Sequence, residues 1–166
     1  MPARKRTTRR NDAITLLKED HRKVKALLED LCSGTDSSGS ELGELCGRIE
    51  TELKIHTEIE EKHFYPAFRD AAENEEDQQL FHEATEEHHA VDLILEDLRK
   101  AEPGSPQFMA RAKVLDEMVR HHIKEEEREM MPRAKKLLGV EQLEAIGSRI
   151  QELKGELEPA MADRED

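Results

Sequence analysis

Apolar residues recur every three to four positions through most of this chain, the period of an amphipathic helix, and clusters of Gly, Pro, Ser, Asn and Asp fall between the periodic runs. The pattern predicts four main helices at roughly 11–33, 38–71, 76–101 and 106–137, separated by loops around SGTDSSGS, ENEED and EPGSP. A shorter fifth helix is predicted at about 140–157. No segment alternates with the period of two that a half-buried strand requires. Helices of about 25 residues are about 38 Å long, and short connections make sequential neighbours antiparallel. The expected fold is therefore all-α, an up-down-up-down four-helix bundle with a short fifth C-terminal helix. Leu143, Ile146, Ile150, Leu153 and Leu157 give that last helix an apolar stripe, which suits a cap on the bundle. One domain is expected over 11–158, with a basic disordered tail at 1–10 and a second tail at 159–166.

A second regularity is an internal repeat that brings chemistry into register as well as hydrophobicity. EDHRKVKALLEDL around His21 matches EEHHAVDLILEDL around His88, and HTEIEEKHFYP starting at His56 matches HIKEEEREMMP starting at His122. The offsets are 67 and 66 residues. Two helix pairs related by an approximate two-fold axis would set His21 and His56 opposite His88 and His122.

At 100° per residue each of these histidines shares the apolar face of its helix. His21 lies in line with Ile14, Leu17, Val24 and Leu28; His56 with Ile49, Leu53 and Ile59; His88 with Val91, Leu95 and Leu98; His122 with Leu115, Met118 and Val119. Glu60 and Glu126 follow His56 and His122 by four residues, one turn along on the same face. Four inward histidines beside two inward acids would be a costly way to fill a core, because a buried carboxylate without a partner is strongly disfavoured. A metal removes that cost. Imidazole with carboxylate suits iron, manganese or zinc, and bridging carboxylates flanked by imidazoles suit a di-iron centre, so two iron ions are the expected cofactor.

Composition agrees with a bundle whose core is Leu, Ile, Val, Met and Ala. Of 166 residues 36% are hydrophobic and 39% charged, with four Phe, one Tyr and no Trp. The net charge of −13 disfavours general attraction to nucleic acid or an anionic membrane, so no nucleic acid partner is expected. MPARKRTTRR carries five Lys or Arg and lacks the hydrophobic stretch of a secretory signal, and no apolar run is long enough to span a bilayer. Cys32 and Cys46 make no CxxC pair and no disulfide framework, which points to a reduced, cytoplasmic setting. A monomer or weak homo-oligomer is expected.

The order lone His, HxxxE, lone His, HxxxE resembles the hemerythrin and HHE cation-binding family over roughly 12–137. That resemblance implies one iron on His21 and His56, the other on His88 and His122, with Glu60 and Glu126 bridging. It also implies oxygen, peroxide or nitric oxide as small ligands, in members that bind or sense them or that decompose peroxide. The circulating oxygen carriers of the family have a further histidine where this chain has Ala84, and an acid one place later than Glu126, at Glu127. The match is thus to the bacterial-type branch, and one iron is expected either to be less fully ligated by histidine or to borrow another residue. His63 and Glu129, seven residues after His56 and His122, project inward on the same wheel and are candidate extra ligands or hydrogen-bonding partners of ligands. Tyr65, next to Pro66, reads as a surface residue, and His82, His89 and His121 read as solvent-facing. A ferritin-like site built on the ExxH pairs Glu60/His63 and Glu86/His89 fails on register, since Glu86 and His89 lie on a polar face. No GxSxG elbow or Gly-rich phosphate loop supports nucleophilic or nucleotide chemistry.

Overall fold

The computed structural model describes residues 11–34 and 36–162; the basic arm at 1–10 lies outside them. Among the described residues six helices follow in order: α1 (Ala13–Ser33), α2 (Gly39–Ile59), α3 (Tyr65–Ala71), α4 (Glu75–Arg99), α5 (Pro106–Glu125) and α6 (Met131–Ala162). Short π turns at Glu60–Phe64 and Glu126–Met130 join α2 to α3 and α5 to α6 without interrupting either rod. The predicted helices at 38–71 and 106–137 are therefore each one continuous rod with a π turn inside.

Helix starts are set by side chains that accept otherwise unpaired backbone N–H groups. Asp12 accepts from Thr15 N at 3.0 Å, Asn74 from Asp77 N at 2.8 Å, and Ser105 from Phe108 N at 3.1 Å ahead of Pro106. Ser38 and Glu41 form a reciprocal capping box.

In cross-section α1 packs on α2 and α5, and α4 packs on α5 and α2, closing the expected four-helix bundle. The fifth helix arises because Gly139, at φ 73°, breaks α6; only glycine adopts that conformation without strain. Past the break the chain lies against α1, α2 and α3, and it stays helical to Ala162 rather than ending near 157. Leu143, Ile146 and Ile150 are buried with Ile14, Leu17, Phe64 and Phe68 in one apolar cluster, each such side chain contributing about 1.5–3 kcal/mol. Gly147 permits the close approach of this helix to the start of α1: a Cβ there would stand 2.1 Å from the Asn11 carbonyl oxygen.

The interior has two apolar clusters with a polar layer between them. Leu17, Ile59, Ala84 and Met130 belong to one cluster, and Val24, Leu53, Val91 and Val119 to the other. His21, His56, His88 and His122 fall between these residues on their respective helices.

Candidate metal centre

All six residues singled out by spacing, His21, His56, Glu60, His88, His122 and Glu126, are buried in that polar layer. One atom each from His21, His56, Glu60 and Glu126 lies within 4.8 Å of the others, and a second group of the same tightness combines Glu60, His88 and His122. Glu60 joins the two groups: its Oε1 is 3.0 Å from His56 Nε2 and its Oε2 is 3.1 Å from His88 Nε2. Glu126 Oε2 is 3.1 Å from His21 Nε2 and 4.0 Å from His122 Nε2.

The ring orientations have a common cause on the outer side of the layer. His21 Nδ1 meets Glu127 Oε1 at 2.8 Å, His88 Nδ1 meets Glu61 Oε1 at 3.0 Å, and His122 Nδ1 meets Glu87 Oε2 at 2.6 Å. His56 Nδ1 faces Asp20 Oδ2 at 3.6 Å, beyond a hydrogen bond, and neither atom has another partner. These contacts respect the repeat: the acids before His21 and His88 face the histidines of the HxxxE pairs, and the acids after Glu60 and Glu126 face the lone histidines of the opposite pairs. A carboxylate at Nδ1 draws the proton there and leaves the Nε2 lone pair pointing inward.

Lone pairs turned inward leave contacts that would repel with nothing between them. His21 Nε2 and His56 Nε2 stand 3.1 Å apart, and His88 Nε2 and His122 Nε2 stand 3.2 Å apart. All four carboxylate oxygens of Glu60 and Glu126 are buried without a hydrogen bond, the short approaches of the histidines being misaligned for one. Buried acceptors converging without donors are unstable unless a cation or protons lie among them. The nitrogen and oxygen donors fit a pair of transition-metal ions.

In the metal-free chain, protons compensate. Burial would lower the His56 pKa, but Glu60, Asp20 and Glu126 push it up to about 10. Burial likewise opposes, and Glu60 and Glu61 overcome, a rise at His88. Burial would raise Glu60, yet His56 and His88 hold its carboxyl well below the usual range. Asp20 is lowered against burial by His56 and by Lys154, whose ammonium is 2.5 Å from Asp20 Oδ1 and ties α6 to the site.

Glu126 stands at the centre, as repeat symmetry selects, and Glu127 faces the outer nitrogen of His21. Two readings from sequence are corrected here. His63 and Glu129 do not point inward: His63 is half-buried near Arg149 and Glu152 of α6, and Glu129 is exposed. Tyr65 is not a surface residue but 1% exposed, with its hydroxyl 3.2 Å from His88 Nε2 and 3.5 Å from His122 Nε2. The π turns are the reason for both. Tyr65 N donates to Glu60 O and Met131 N to Glu126 O, five residues back instead of four, so each rod gains one residue and later side chains rotate by about one position. Phe64 and Met130, eight residues after their histidines, take the inward places assigned to His63 and Glu129. Tyr65 and Met131 are equivalent in the repeat, so only the His88–His122 side receives a phenol. Burial, then the charges of Glu126 and Glu60, raise the Tyr65 pKa well above its ordinary value, keeping the hydroxyl protonated. His82, His89 and His121 are exposed, as expected.

Fold and site together define a helical-bundle protein with a buried histidine–carboxylate cluster able to hold metal. The model of the hemerythrin HHE cation-binding domain matches residues 12–134, and the chain belongs to that family. A crystal structure of a hemerythrin HHE cation-binding domain-containing protein from Mycobacterium kansasii superposes with a TM-score of 0.75 at 25% identity, covering 92% of this chain and 88% of that one. A DNA nickase from Nostoc sp. strain PCC 7120 is 27% identical over 143 residues, 86% of this chain; the chain spans 39% of that relative's length. Among the described residues no helix is long and apolar enough to cross a membrane.

Proposed function

We propose that this protein is a non-haem di-iron protein that takes up oxygen, peroxide or nitric oxide. The observation that carries the reading is the convergence of four Nε2 atoms and two carboxylates with no hydrogen bond to the carboxylate oxygens. His21 and His56 would hold one ion and His88 and His122 the other, with Glu60 and Glu126 between them. Iron held this way supplies an open coordination position and redox capacity for a small ligand.

The chain's own residues set what can reach that position. A void of ≈20 Å³ lies against all four histidines, walled by Val24, Leu53, Val91, Val119 and Ile123 together with Thr57. Its size suits a ligand of one or two heavy atoms, and its mostly apolar wall favours an uncharged one. Tyr65 stands on one side only and offers a hydroxyl proton at Oη beside His88 and His122. The phenol would be available as the residue borrowed by the His88–His122 ion, where Ala84 stands in place of a histidine.

A second reading, an enzyme that decomposes hydrogen peroxide, is favoured by this same phenol, since peroxide cleavage needs a proton held at the reacting oxygens. His63 and Glu129 face away from the cluster, which leaves Tyr65 for that task. The two readings separate in solution. A stable optical adduct after anaerobic reduction and exposure to oxygen or nitric oxide supports binding. Sustained oxygen release from peroxide, lost in Glu126→Ala, supports turnover. Absence of both refutes the proposal.

The Nostoc nickase raises DNA as a substrate. All six donor residues are buried and the void beside them is far smaller than a phosphodiester, while the net charge of −13 repels the backbone. A supercoiled-plasmid nicking assay with the iron-loaded chain is expected to show no metal-dependent nicking.

A further inference from the structure

A third group of potential ligands lies on the surface between α4 and α5, and no role above absorbs it. Glu87 Oε1 and Glu125 Oε1 approach His121 Nε2 at 3.5 and 3.3 Å, and one donor atom from each residue falls within 4.8 Å of the others. His121 and Glu125 are one helical turn apart, so the pair is presented to one side of α5. The group borders a groove of ≈540 Å³ that also carries His82, Glu83 and Glu86, a local excess of acid that concentrates cations.

This surface group is connected to the buried cluster by a shared carboxylate. Glu87 Oε1 faces His121, while its Oε2 accepts from His122 Nδ1 at 2.6 Å. Beneath it lies a neck of ≈10 Å³, roughly one water in size, lined by Glu83, Glu87 and Glu125 from the groove and by His122 and Glu126 from the cluster. Glu126 lies along this neck, 3% exposed and with neither oxygen hydrogen-bonded. Ala84 is part of the neck wall, one turn before His88; a bulkier residue there would fill it.

We propose that Glu87, His121 and Glu125 form an outer divalent-cation site that captures ferrous iron and passes it along Glu87 and the neck beside Ala84 to the buried cluster. The proposal rests on the metal-centre reading above. One nitrogen and two carboxylates make a borderline-hard donor set that suits Fe²⁺, Co²⁺ or Zn²⁺. His121 is exposed and Glu87 and Glu125 are half-buried at the groove, which leaves room for water to complete the shell, as a transient site requires.

Metal-free full-length protein is mixed anaerobically with Co²⁺, whose visible absorption reports ligation, and uptake is followed by stopped flow and equilibrium titration. The wild-type chain is expected to show a fast, weak phase from the outer site, followed by slower filling of the buried pair. In His121→Ala/Glu125→Gln, with both changes on the surface, the fast phase disappears and the buried pair fills about tenfold or more slowly to the same final spectrum. Ala84→Val, with its helicity checked by circular dichroism, retains the fast phase and slows the second. Wild-type kinetics in the double variant would overturn the outer site, and wild-type kinetics in Ala84→Val would overturn the route. A wild-type chain that shows only the fast phase would refute the buried centre itself, and with it the transfer.

Discussion

Replacing Glu127 by glutamine leaves a hydrogen-bond acceptor beside His21 but removes its charge. The carboxylate lies 2.8 Å from His21 Nδ1 and is 28% exposed, so it is screened in part and not fully. Carboxylates behind ligating histidines typically contribute 10–100-fold to metal affinity, about 1.4–2.7 kcal/mol. Glu127→Gln, which keeps the ring oriented, is expected near the lower end, about tenfold; Glu127→Ala, which frees the ring, near the upper. His21 belongs only to the group with His56, Glu60 and Glu126, so the loss should fall on one of two ions. Glu61→Gln should instead weaken the His88 ion, and by less, since Glu61 is 45% exposed. Anaerobic competition titration against a chromophoric chelator resolves the two affinities. Unchanged affinity of both ions in Glu127→Gln and Glu127→Ala would show that the outer carboxylate does not prepare His21 for metal, and the tautomer argument would fail.

Further expectations follow from the same geometry. Because His56 is held up to about 10 and His88 is also raised, metal loading at pH 7 should release protons, seen as acidification of weakly buffered solution, and affinity should fall as pH drops. For the metal-free fold, the raised His56 stabilises fully below its ordinary value of 6.5 and loses that contribution as pH rises toward 10, whereas the depressed Glu60 contributes above its ordinary 4.5 and loses its share in acid. Thermal melts of chelated protein should therefore peak between about pH 4.5 and 6.5. Tyr65→Phe should preserve the fold and metal content while changing the optical spectrum of the loaded protein; an unchanged spectrum would separate the phenol from the centre. Gly147→Ala, which places a Cβ 2.1 Å from the Asn11 carbonyl, should destabilise by about 1–3 kcal/mol in a melt without altering metal stoichiometry.

How much was legible in sequence depends on whether a feature was local. His21, His56, His88 and His122 share an apolar stripe on their own helices, so a wheel at 100° per residue finds their inward direction without knowing the partner helix. The same wheel fails beyond Glu60 and Glu126, where one extra residue per π turn exchanges His63 for Phe64 and Glu129 for Met130, and brings in Tyr65. Nothing in EEKHF or EEREM announces that insertion by residue type alone. The outer carboxylates Asp20, Glu61, Glu87 and Glu127 were visible as acids adjacent to the repeated residues, but their partners lie on other helices and needed the bundle to be assembled. The cap formed by the last helix was readable from Leu143, Ile146 and Ile150, while the break that sets its direction depends on the positive φ of Gly139.

On the proposed reading, the polar layer of four histidines and two glutamates exists to hold two metal ions. Protein produced in iron-replete cells, purified without chelator and measured by plasma mass spectrometry, should carry about two irons per chain, falling in His56→Ala and Glu60→Ala. A chain that is fully helical and free of iron, manganese and zinc under those conditions would contradict the account.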